Sequence, residues 1–292
     1  MIYVGLDLHK KFSVITAMNS EGEELVKQQK LPNNGEIVSL LQGLGEPVEV
    51  AIEATRSWYW LYDILEENGI GVKLSHPLKT KAIASARIKN DKIDSKVLAR
   101  LLRADLLPLS YVPGRHIRMQ RELLRYRASL VRIQTGIKNR AHAILAKNNV
   151  SHEFSDLFGK QGIAFLKELV LPEIYRMALD GYLSVLEIIG KEIKVASKRI
   201  DALARENEEA RLLRTIPGVG YYSALLIYSE IGDINRFPSA KQLCSFAGIV
   251  PSTYASGDKI FHGHIVKQGS KWLRWILTEA VEHCIKELGH LG

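Results

Sequence analysis

The spacing of apolar residues changes near residue 108, and this change most constrains how the chain can fold. Before it, apolar residues occur in short runs rich in β-branched and aromatic side chains, which is typical of strands. After it, they recur every three or four residues over long stretches, which is typical of helix faces. The 292 residues are enough for about two domains of ordinary size. The sequence therefore predicts an α/β fold followed by all-α segments.

The N-terminal 108 residues predict a mixed sheet. Their order is three strands, a helix, a strand, a helix and a strand, read from the runs MIYVGLDL, FSVITAMN, EELVKQQKL, GEIVSLLQGL, VEVAIEA, SWYWLYDILEENG and GVKLSH. A further helix is predicted over residues 91–106, where apolar residues fall on one side. We expect an α/β domain that ends near residue 108.

Residues 109–210 carry two long helical runs. The first consists of Met119, Leu123, Tyr126, Leu130, Ile133, Ile137 and Ile144, and the second of Leu186, Ile189, Ile193, Ala196, Ile200 and Leu203. Such runs are typical of an antiparallel helical hairpin or of a coiled-coil interface between copies of the chain. Ordinary core packing within a helical bundle explains them equally well.

Residues 211–292 predict a third, helical region. In it the segment IPGVG joins two helices, a loop rich in Pro and Gly spans residues 247–259, and a helix follows. Gly218 and Gly220 would expose backbone N–H groups beside a helix N-terminus, an arrangement that binds anions such as DNA phosphates. The alternative is a glycine turn that only allows two helices to pack closely.

Charge is distributed unevenly along the chain. Residues 73–147 hold 18 basic and 4 acidic side chains, a net charge of +14, whereas residues 1–72 have a net charge of −6. A basic block of this size favours a nucleic acid as partner, because basic side chains displace counterions from phosphates. A solvated helix face is the alternative.

Several classes of protein are disfavoured. No apolar run reaches the roughly 18 residues that cross a bilayer, and residues 1–30 are charged too early for a signal peptide. Two cysteines indicate a reducing compartment, so we expect a cytoplasmic protein, associated with the nucleoid, and no membrane partner. The spacing of the histidines and cysteine does not match a structural zinc site; these are His262, His264, His283 and Cys284.

Four acidic residues stand where catalytic carboxylates are found. Asp7 and Glu53 end otherwise apolar strands, and Asp91 and Asp94 lie three apart at the start of a predicted helix. Carboxylates from two strands and a helix suit two Mg²⁺ ions, which clamp the attacking and leaving oxygens of a phosphodiester. Helix capping is the alternative role for Asp91 and Asp94.

With these four acids in order, the chain resembles the DEDD transposases of the insertion-sequence-110 family, which include pilin-gene invertases. The resemblance rests on VGLDLHK, AIEAT, NDKIDSKVLARLL, IPGVG and FAGIVPSTYASGDKIFHGHIVKQGSKWLR, in that order. It implies an RNase H/RuvC-like catalytic domain over 1–108 and a long helical coiled-coil oligomerisation region over 109–210. It further implies a helical transposase domain over 211–292, with a helix-hairpin-helix and a nucleophile loop.

The resemblance also implies a nucleophile. The family's Ser-Gly motif matches GIVPSTYASGDK and places the attacking hydroxyl at Ser256, with Ser252 and Ser270 as competing serines. A serine needs a base or a metal to activate it, so the acidic cluster must come close, within one chain or from a partner. From the residues alone, a turn residue before Gly257 is the favoured interpretation of Ser256, and only the resemblance favours the nucleophile.

The implied function is a transposase or site-specific DNA recombinase that excises and inserts a mobile element. Donor and target DNA are the implied substrates, with a guide RNA encoded by the element, Mg²⁺ as cofactor, and a homodimer or tetramer as the active form. Residues expected to hold DNA phosphates are Gly218, Gly220, Lys259, Lys267, Lys271 and Arg274. Two alternatives stay open: a RuvC-like endonuclease that uses metal-activated water, and a catalytically silent nucleic-acid-binding protein.

Overall fold

The computed structural model describes residues 1–55, 57–85, 94–256 and 259–289. The chain divides into two compact units, Met1–Val112 and Pro113–Gly292. Among the described helices, none combines the length and the apolar character needed to span a membrane.

The first unit is built on a five-stranded mixed sheet. Its strands are β1 (Ile2–Leu8), β2 (Phe12–Met18), β3 (Glu24–Pro32), β4 (Val48–Glu53) and β5 (Gly71–Ser75), in the order β3-β2-β1-β4-β5. The β1–β2 and β2–β3 pairs are antiparallel, and the β1–β4 and β4–β5 pairs are parallel. The predicted α/β fold with a mixed sheet is confirmed, and its order is compatible with the RNase H-type fold.

Helices cover both faces of this sheet. They are α1 (Glu36–Gln42), α2 (Trp58–Glu67), α3 (Pro77–Ser85) and α4 (Ser95–Arg103). Alternation along β1 sends Val4 and Leu6 into a core shared with α1 and α2. On the opposite face, Ala51 of β4 packs against Leu98 and Leu102 of α4. The sheet is thus the middle of three layers.

Helix α4 lies directly on β1 because Gly5 has no side chain. A Cβ on Gly5 would come within 1.8 Å of the Ser95 carbonyl oxygen and 2.5 Å of the Ala99 nitrogen. Beside this contact, the hydroxyls of Thr16 and Ser95 are hydrogen-bonded at 2.8 Å, both fully buried. The helix is shorter than the predicted 91–106: it ends at Arg103, and residues 91–93 lie outside the described residues.

The second unit contains seven helices and a strand pair within its described residues. They are α5 (Arg115–Lys147), α6 (Lys160–Glu168), α7 (Glu173–Glu206), α8 (Glu208–Leu213), α9 (Tyr221–Ile231), α10 (Ala240–Ala247), β6 (Pro251–Ser256), β7 (Lys259–Ile265) and α11 (Lys271–Gly289). A short 3₁₀ turn, Ile234–Arg236, joins α9 to α10.

Helices α5 and α7 pack as an antiparallel hairpin. Leu124 near the start of α5 shares a core with Ile200 near the end of α7. At the other end of the pair, Ile144 shares a core with Leu179. Of the alternatives that the sequence left open, the antiparallel hairpin is therefore present within one chain.

The two predicted helical runs differ in how much of each is buried. Most of the α7 run is buried in the unit, as at Ile189 and Ile200. The α5 run is partly wrong, since Met119, Tyr126 and Ile133 are exposed. Helix α5 buries Ile137 and Ile144 of the predicted run together with residues outside it, because α7 and α9 pack against that side; those further buried residues are Ile117, Arg118, Leu124, Ala141 and Leu145.

The predicted Pro-Gly-rich loop over residues 247–259 is wrong in its second half. Strands β6 and β7 form an antiparallel hairpin there, so the C-terminal region is not purely helical. Pro251 is the first residue of β6, where its missing N–H is tolerated in a strand. The pairing of Ala255 with Ile260 and of Ser256 with Lys259 closes the hairpin toward its turn.

Candidate active site

Asp7 and Glu53 lie side by side at the carboxyl ends of neighbouring strands. The parallel register pairs Leu6 of β1 with Ile52 of β4, so the next residues in each strand are Asp7 and Glu53. The side chain of Asp7 is 18% exposed, and Glu53 is half-buried. The sheet therefore brings these two sequence-predicted acids together.

Both acids share a sheet face with α4. Residues two apart in a strand point to the same face, which groups Asp7 with Gly5 and Glu53 with Ala51. Gly5 and Ala51 are the positions that α4 covers. The N-terminus of α4 therefore lies over the same face as the two carboxylates.

The environment of Glu53 disfavours its negative charge. Burial raises the pKa of the Glu53 carboxyl above its ordinary value, and the negative charge of Asp7 raises it further. Two neighbouring carboxylates of this kind repel each other unless a cation or a proton compensates them. Such a pair is what a hard divalent cation would stabilise.

Asp94 stands at the N-terminus of α4 as its capping residue. Its Oδ1 accepts a hydrogen bond from the Val97 N–H at 2.9 Å, and its Oδ2 accepts one from Gln28 Nε2 at 3.4 Å. It precedes the helix in an extended conformation. Asp91 lies outside the described residues. Capping, the alternative weighed for Asp94, is therefore present.

His9 is a site residue that the sequence reasoning missed. Its Nε2 lies 3.1 Å from Oδ2 of Asp7, and its ring packs 4.5 Å from that of Phe12, centroid to centroid. The sequence signal that could have identified His9 is its separation from Asp7, because residues two positions apart in an extended segment point to the same side of the chain. His9 therefore fixes the orientation of the Asp7 carboxylate.

Ser256 is the last described residue before the turn of the β6–β7 hairpin, opposite Lys259. Its side chain and that of Lys259 lie outside what the structure describes. The base of the hairpin is held firmly: Val266 N–H donates to the Val250 carbonyl at 3.0 Å, and Lys267 N–H donates to the Gly248 carbonyl at 3.2 Å. The hairpin thus projects Ser256 from an anchored base.

The two competing serines are engaged in hydrogen bonds. The Ser252 hydroxyl donates to the His264 carbonyl at 3.1 Å. The Ser270 hydroxyl donates to Oε2 of Glu230 at 2.8 Å and accepts from the Leu273 N–H at 3.1 Å. Ser270 thereby joins α11 to the buried Glu230, which Arg125 neutralises at 2.6 Å.

The basic residues proposed for phosphate binding are placed differently from one another. Lys267 and Lys271 are exposed, and Lys267 adopts a left-handed conformation with φ +55° in the loop after β7. Arg274 is partly buried, and its Nη1 donates to the Ala247 carbonyl at 2.9 Å. The structure thus gives Arg274 a packing contact and leaves the two lysines open to solvent.

The IPGVG turn between α8 and α9 packs against α11. Gly218 has φ +78°, and a Cβ there would come within 2.6 Å of the Ala280 carbonyl oxygen and 2.8 Å of the Cys284 nitrogen. Close helix packing therefore explains Gly218. Gly220 is different: it is the N-cap of α9, with open space where a Cβ would stand.

Two sequence comparisons bear on this site. Residues 4–149, half of the chain, match the sequence model of the DEDD transposases of IS110 elements, described as "Transposase". Residues 210–289 match the model described as "Transposase IS116/IS110/IS902 family".

The chain belongs to the IS110 family of DEDD transposases.

Curated transposases are similar along almost the whole of this transposase. The transposase for insertion sequence element IS1111A of Coxiella burnetii is 26% identical over 98% of this chain and 78% of its own length. That for IS1328 of Yersinia enterocolitica is 26% identical over 98% of this chain and 84% of its own. That for IS1533 of Leptospira borgpetersenii is also 26% identical, over 96% of this chain and 84% of its own.

DEDD transposases use a divalent metal ion, and the acid pair fits one. Asp7 and Glu53 offer hard oxygen donors from adjacent strand ends, and Glu53 gains from a compensating positive charge. Within the part of the chain that the structure describes, no third acid, histidine or cysteine completes a metal-binding group with them. The transposase thus presents half of the predicted DEDD set as an assembled pair.

Proposed function

We propose that this transposase excises and inserts a mobile element by breaking and rejoining DNA through a covalent Ser256–phosphate link, with Mg²⁺ held by Asp7, Glu53, Asp91 and Asp94. The observation that carries the proposal is the half-buried carboxylate pair beneath α4, in a chain that matches the DEDD transposases over residues 4–149. Donor and target DNA are the proposed substrates.

Asp7 and Glu53 form the core of the proposed metal site, and His9 keeps Asp7 oriented toward it. Among the described residues Asp94 does not complete a metal-binding group with this pair. We propose that it joins the bound ion through Oδ2, because Oδ1 caps α4 while Oδ2 accepts a long hydrogen bond from Gln28 at 3.4 Å. Mg²⁺, when bound, polarises a phosphate oxygen and lowers the negative charge that a nucleophile must approach. The second unit supplies that nucleophile.

The position of Ser256 supports its role. It ends β6 on an anchored hairpin, whereas the hydroxyls of Ser252 and Ser270 both donate to oxygens within the unit. In the proposed step, a bond forms between Ser256 Oγ and phosphorus while one bond from phosphorus to a sugar oxygen breaks. The serine proton passes to a base, and the departing sugar oxygen takes up a proton. The phosphoserine link retains the energy of the phosphodiester, so rejoining needs no further cofactor.

Nucleic acid is proposed to bind along the basic part of the chain. Part of the +14 block serves the fold instead, because Arg121 donates to the Ser229 and Glu230 carbonyls at 2.7 and 3.0 Å. Among the described residues, the side-chain ammonium groups of Lys267 and Lys271 donate no such internal hydrogen bond, and both suit DNA phosphates. Gly220 at the start of α9, with Gly218, is the proposed helix-hairpin-helix contact. Lys259 and Arg274, which flank the Ser256 loop in the sequence, are further proposed phosphate contacts.

A guide RNA is the second nucleic-acid partner that the family resemblance implies, and the remaining positive charge is consistent with it. An A-form RNA helix is held largely through its phosphates and 2′-hydroxyls, which basic side chains contact without reading sequence. We propose that an RNA encoded by the element pairs with donor and target DNA while the basic block holds its backbone.

A homodimer or tetramer is the proposed active form. Helix α7 buries one apolar stripe against α5 and exposes a second one to solvent. The exposed stripe, called here the outer α7 stripe, follows helical spacing and consists of Ile174, Met177, Val185, Ile188 and Val195. A contiguous exposed apolar stripe marks an interaction surface, and a second copy of the same helix is its simplest partner.

The test is a search for protein-bound DNA in cells that carry the complete element and a target. The transposase is purified under denaturing conditions as wild type, Ser256→Ala, Asp7→Ala and Ser252→Ala. DNA is expected on the wild type and on Ser252→Ala, the matched control, and is expected to be lost in the other two variants.

Two results would overturn the proposal. An adduct that persists in Ser256→Ala would remove Ser256 as nucleophile. Recombination without any adduct, unaffected by Ser256→Ala but abolished by Asp7→Ala, would favour the endonuclease that uses metal-activated water. Recombination that requires Asp7 but not Ser256 thereby distinguishes the mechanism with metal-activated water from the serine mechanism.

A further inference from the structure

A cavity of about 440 Å³ lies between α5 and the first turns of α11, entirely within the second unit. We call it the α5–α11 cavity. Its α5 side is formed by Arg125, Arg127 and Arg132 with small neighbouring residues, and its α11 side by Lys271, Trp272 and Trp275. Its volume falls in the range that holds a small organic group such as a nucleotide base with its sugar.

The α11 side presents an ordered aromatic surface. The rings of Trp272 and Trp275 meet edge to face, with centroids 5.9 Å apart and planes at 73°. Trp275 also contacts the ring of Tyr222, and its Nε1 donates to Oε1 of Glu279 at 3.1 Å. These contacts fix the indole of Trp275, yet the residue stays 39% exposed.

The α5 side contributes positive charge that the protein leaves largely uncompensated. Glu230 pairs with Arg125, whose Nε nevertheless remains buried without a hydrogen-bond partner. No acid of the described residues pairs with Arg127, Arg132 or Lys271. Three cations that have no acidic partner among the described residues thus line the cavity together with a partly exposed indole, although Arg127 also donates to the Ser197 hydroxyl at 3.4 Å.

This combination differs from an ordinary packing cluster. In a packing cluster the indoles would be buried and the cations would be paired with acids or directed to solvent. Here the Arg125 guanidinium carbon and Lys271 Nζ each lie 5.8 Å from the centroid of the Trp272 ring, and all three residues line the cavity. Positive charge and ring faces therefore meet around one cavity, as they do in proteins that hold single-stranded nucleic acids.

We propose that the α5–α11 cavity binds an unpaired nucleotide, with its base stacked on Trp275 and the flanking phosphates held by Arg127, Arg132 and Lys271. A base within a duplex has both faces covered by its neighbours, so an indole selects a base that has left the stack. The inference rests on the proposed function, in which strand exchange and pairing with an RNA both create unpaired nucleotides. The same chemistry accepts a DNA or an RNA strand.

The test measures binding of three fluorescein-labelled probes to the full-length protein: a 20-nucleotide oligo-dT, a 20-nucleotide oligo-rU and a 20-base-pair duplex. EDTA is present throughout, so the acidic residues of the first unit contribute no metal-dependent binding. The variants are Trp275→Ala, Trp275→Phe and Arg132→Glu. Trp60→Ala is the matched control, since Trp60 is similarly exposed, at 36%, in the other unit.

Loss of one stacked base is expected to weaken single-strand binding by about 5- to 100-fold in Trp275→Ala. Trp275→Phe retains most of the single-strand affinity of the wild type, and Trp60→Ala retains all of it. Duplex binding changes by less than about twofold in Trp275→Ala, Trp275→Phe and Trp60→Ala. The probe that loses more affinity, oligo-dT or oligo-rU, identifies the strand. Arg132→Glu, a substitution at an exposed position, weakens both single-strand probes and covers the case that Trp275→Ala does not fold.

Three outcomes would overturn the inference: unchanged single-strand binding in both Trp275→Ala and Arg132→Glu, equal losses on duplex and single strands, or competition by polyglutamate as effective as that by oligo-dT. None of these depends on the Ser256 adduct. Absence of that adduct, with stacking intact, would remove the proposed serine mechanism and leave this site in place.

Discussion

At the scale of single residues, Glu53 shows how the fold prepares a carboxylate for a cation. Its strand ends beside Asp7, and burial together with that neighbour raises the pKa of the Glu53 carboxyl. The folded protein therefore binds a proton at Glu53 more tightly than the unfolded chain does. Stability gained from this proton is present at low pH and is lost as pH rises through the folded-state pKa. Above that pKa, the ionised Glu53 costs the folded state free energy.

Glu53→Gln is therefore expected to raise the melting temperature of the metal-free protein at pH 7. The gain shrinks as pH falls through the folded-state pKa of Glu53, because wild-type Glu53 then becomes neutral as well. Strand transfer is expected to fall by at least about 100-fold, the scale for losing one preorganised charged group at a reacting centre. Thermal melts in EDTA across pH 4–8, at steps of about half a pH unit, measure the difference in melting temperature between Glu53→Gln and the wild type. This range is chosen so that Glu53 changes from protonated to ionised within it.

Glu49→Gln is the matched control for this prediction. Glu49 lies near the start of the same strand, away from the carboxyl end that carries Glu53, and forms an ion pair with Lys73 at 3.0 Å. It is expected to leave strand transfer intact and to give no rise in melting temperature. A melting temperature for Glu53→Gln that is equal to or below that of the wild type throughout this pH range would contradict the argument.

At the scale of elements, the contact between β1 and α4 determines where Asp94 stands. The helix backbone rests on Gly5, and Asp94 caps the same helix. A shift of α4 away from β1 therefore moves Asp94 away from the face that carries Asp7 and Glu53. Gly5 therefore determines how closely α4 packs on the sheet, and through this the distance between Asp94 and the pair formed by Asp7 and Glu53.

Gly5→Ala is expected to destabilise the protein by at least about 2 kcal/mol, toward the upper end for overpacked cores, because its Cβ meets backbone rather than a flexible side chain. Strand transfer should fall with it. Gly71→Ala, another strand glycine of the same sheet, is the control, since its Cβ would find ordinary contacts at 3.7 and 3.9 Å. Equal unfolding midpoints for the two variants in a urea titration would show that α4 does not depend on Gly5.

At the scale of the whole molecule, the strands of the mixed sheet and the two long helices were predictable, whereas which of their surfaces are exposed was not. Strand and helix patterns gave the mixed sheet and the two long helices, because local periodicity reports which face is apolar. The same periodicity did not distinguish stripes buried within one chain from stripes left exposed, as at Met119 and Ile188. That distinction depends on which helices pack nearby, which is a tertiary property.

The candidate site was predictable to a similar degree. Apolar strands ending in an acid indicated Asp7 and Glu53, and parallel pairing places them together. The cap formed by Asp94 was weighed as an alternative, but spacing alone does not separate a capping residue from a helical one. The hairpin that carries Ser256 was missed because Pro and Gly in its sequence are typical of loops.

Assembly of the whole molecule can be tested at the outer α7 stripe. Ile188→Glu is expected to reduce the mass in solution to that of one chain, because a buried glutamate has no partner in an apolar interface. Val170→Glu, the same change at a residue 93% exposed and outside α7, should leave the assembly unchanged. Sedimentation velocity measures both. Equal masses for wild type and Ile188→Glu would exclude this stripe as the interface.

The central place of β1 also has a consequence for synthesis. Strand β1 pairs with β4 through Leu6 and Ile52, and its Gly5 packs against α4 near Ala99. Because β4 and α4 follow later in the sequence, β1 leaves the ribosome long before these two elements are synthesised. At about 5–20 residues per second, a delay of roughly 90 residues leaves the α4 face of the nascent sheet bare for about 5–20 s. During that interval the growing chain is exposed to aggregation and to proteases. We therefore expect the yield of folded protein to depend on the pace of translation between the codons of β1 and those of α4.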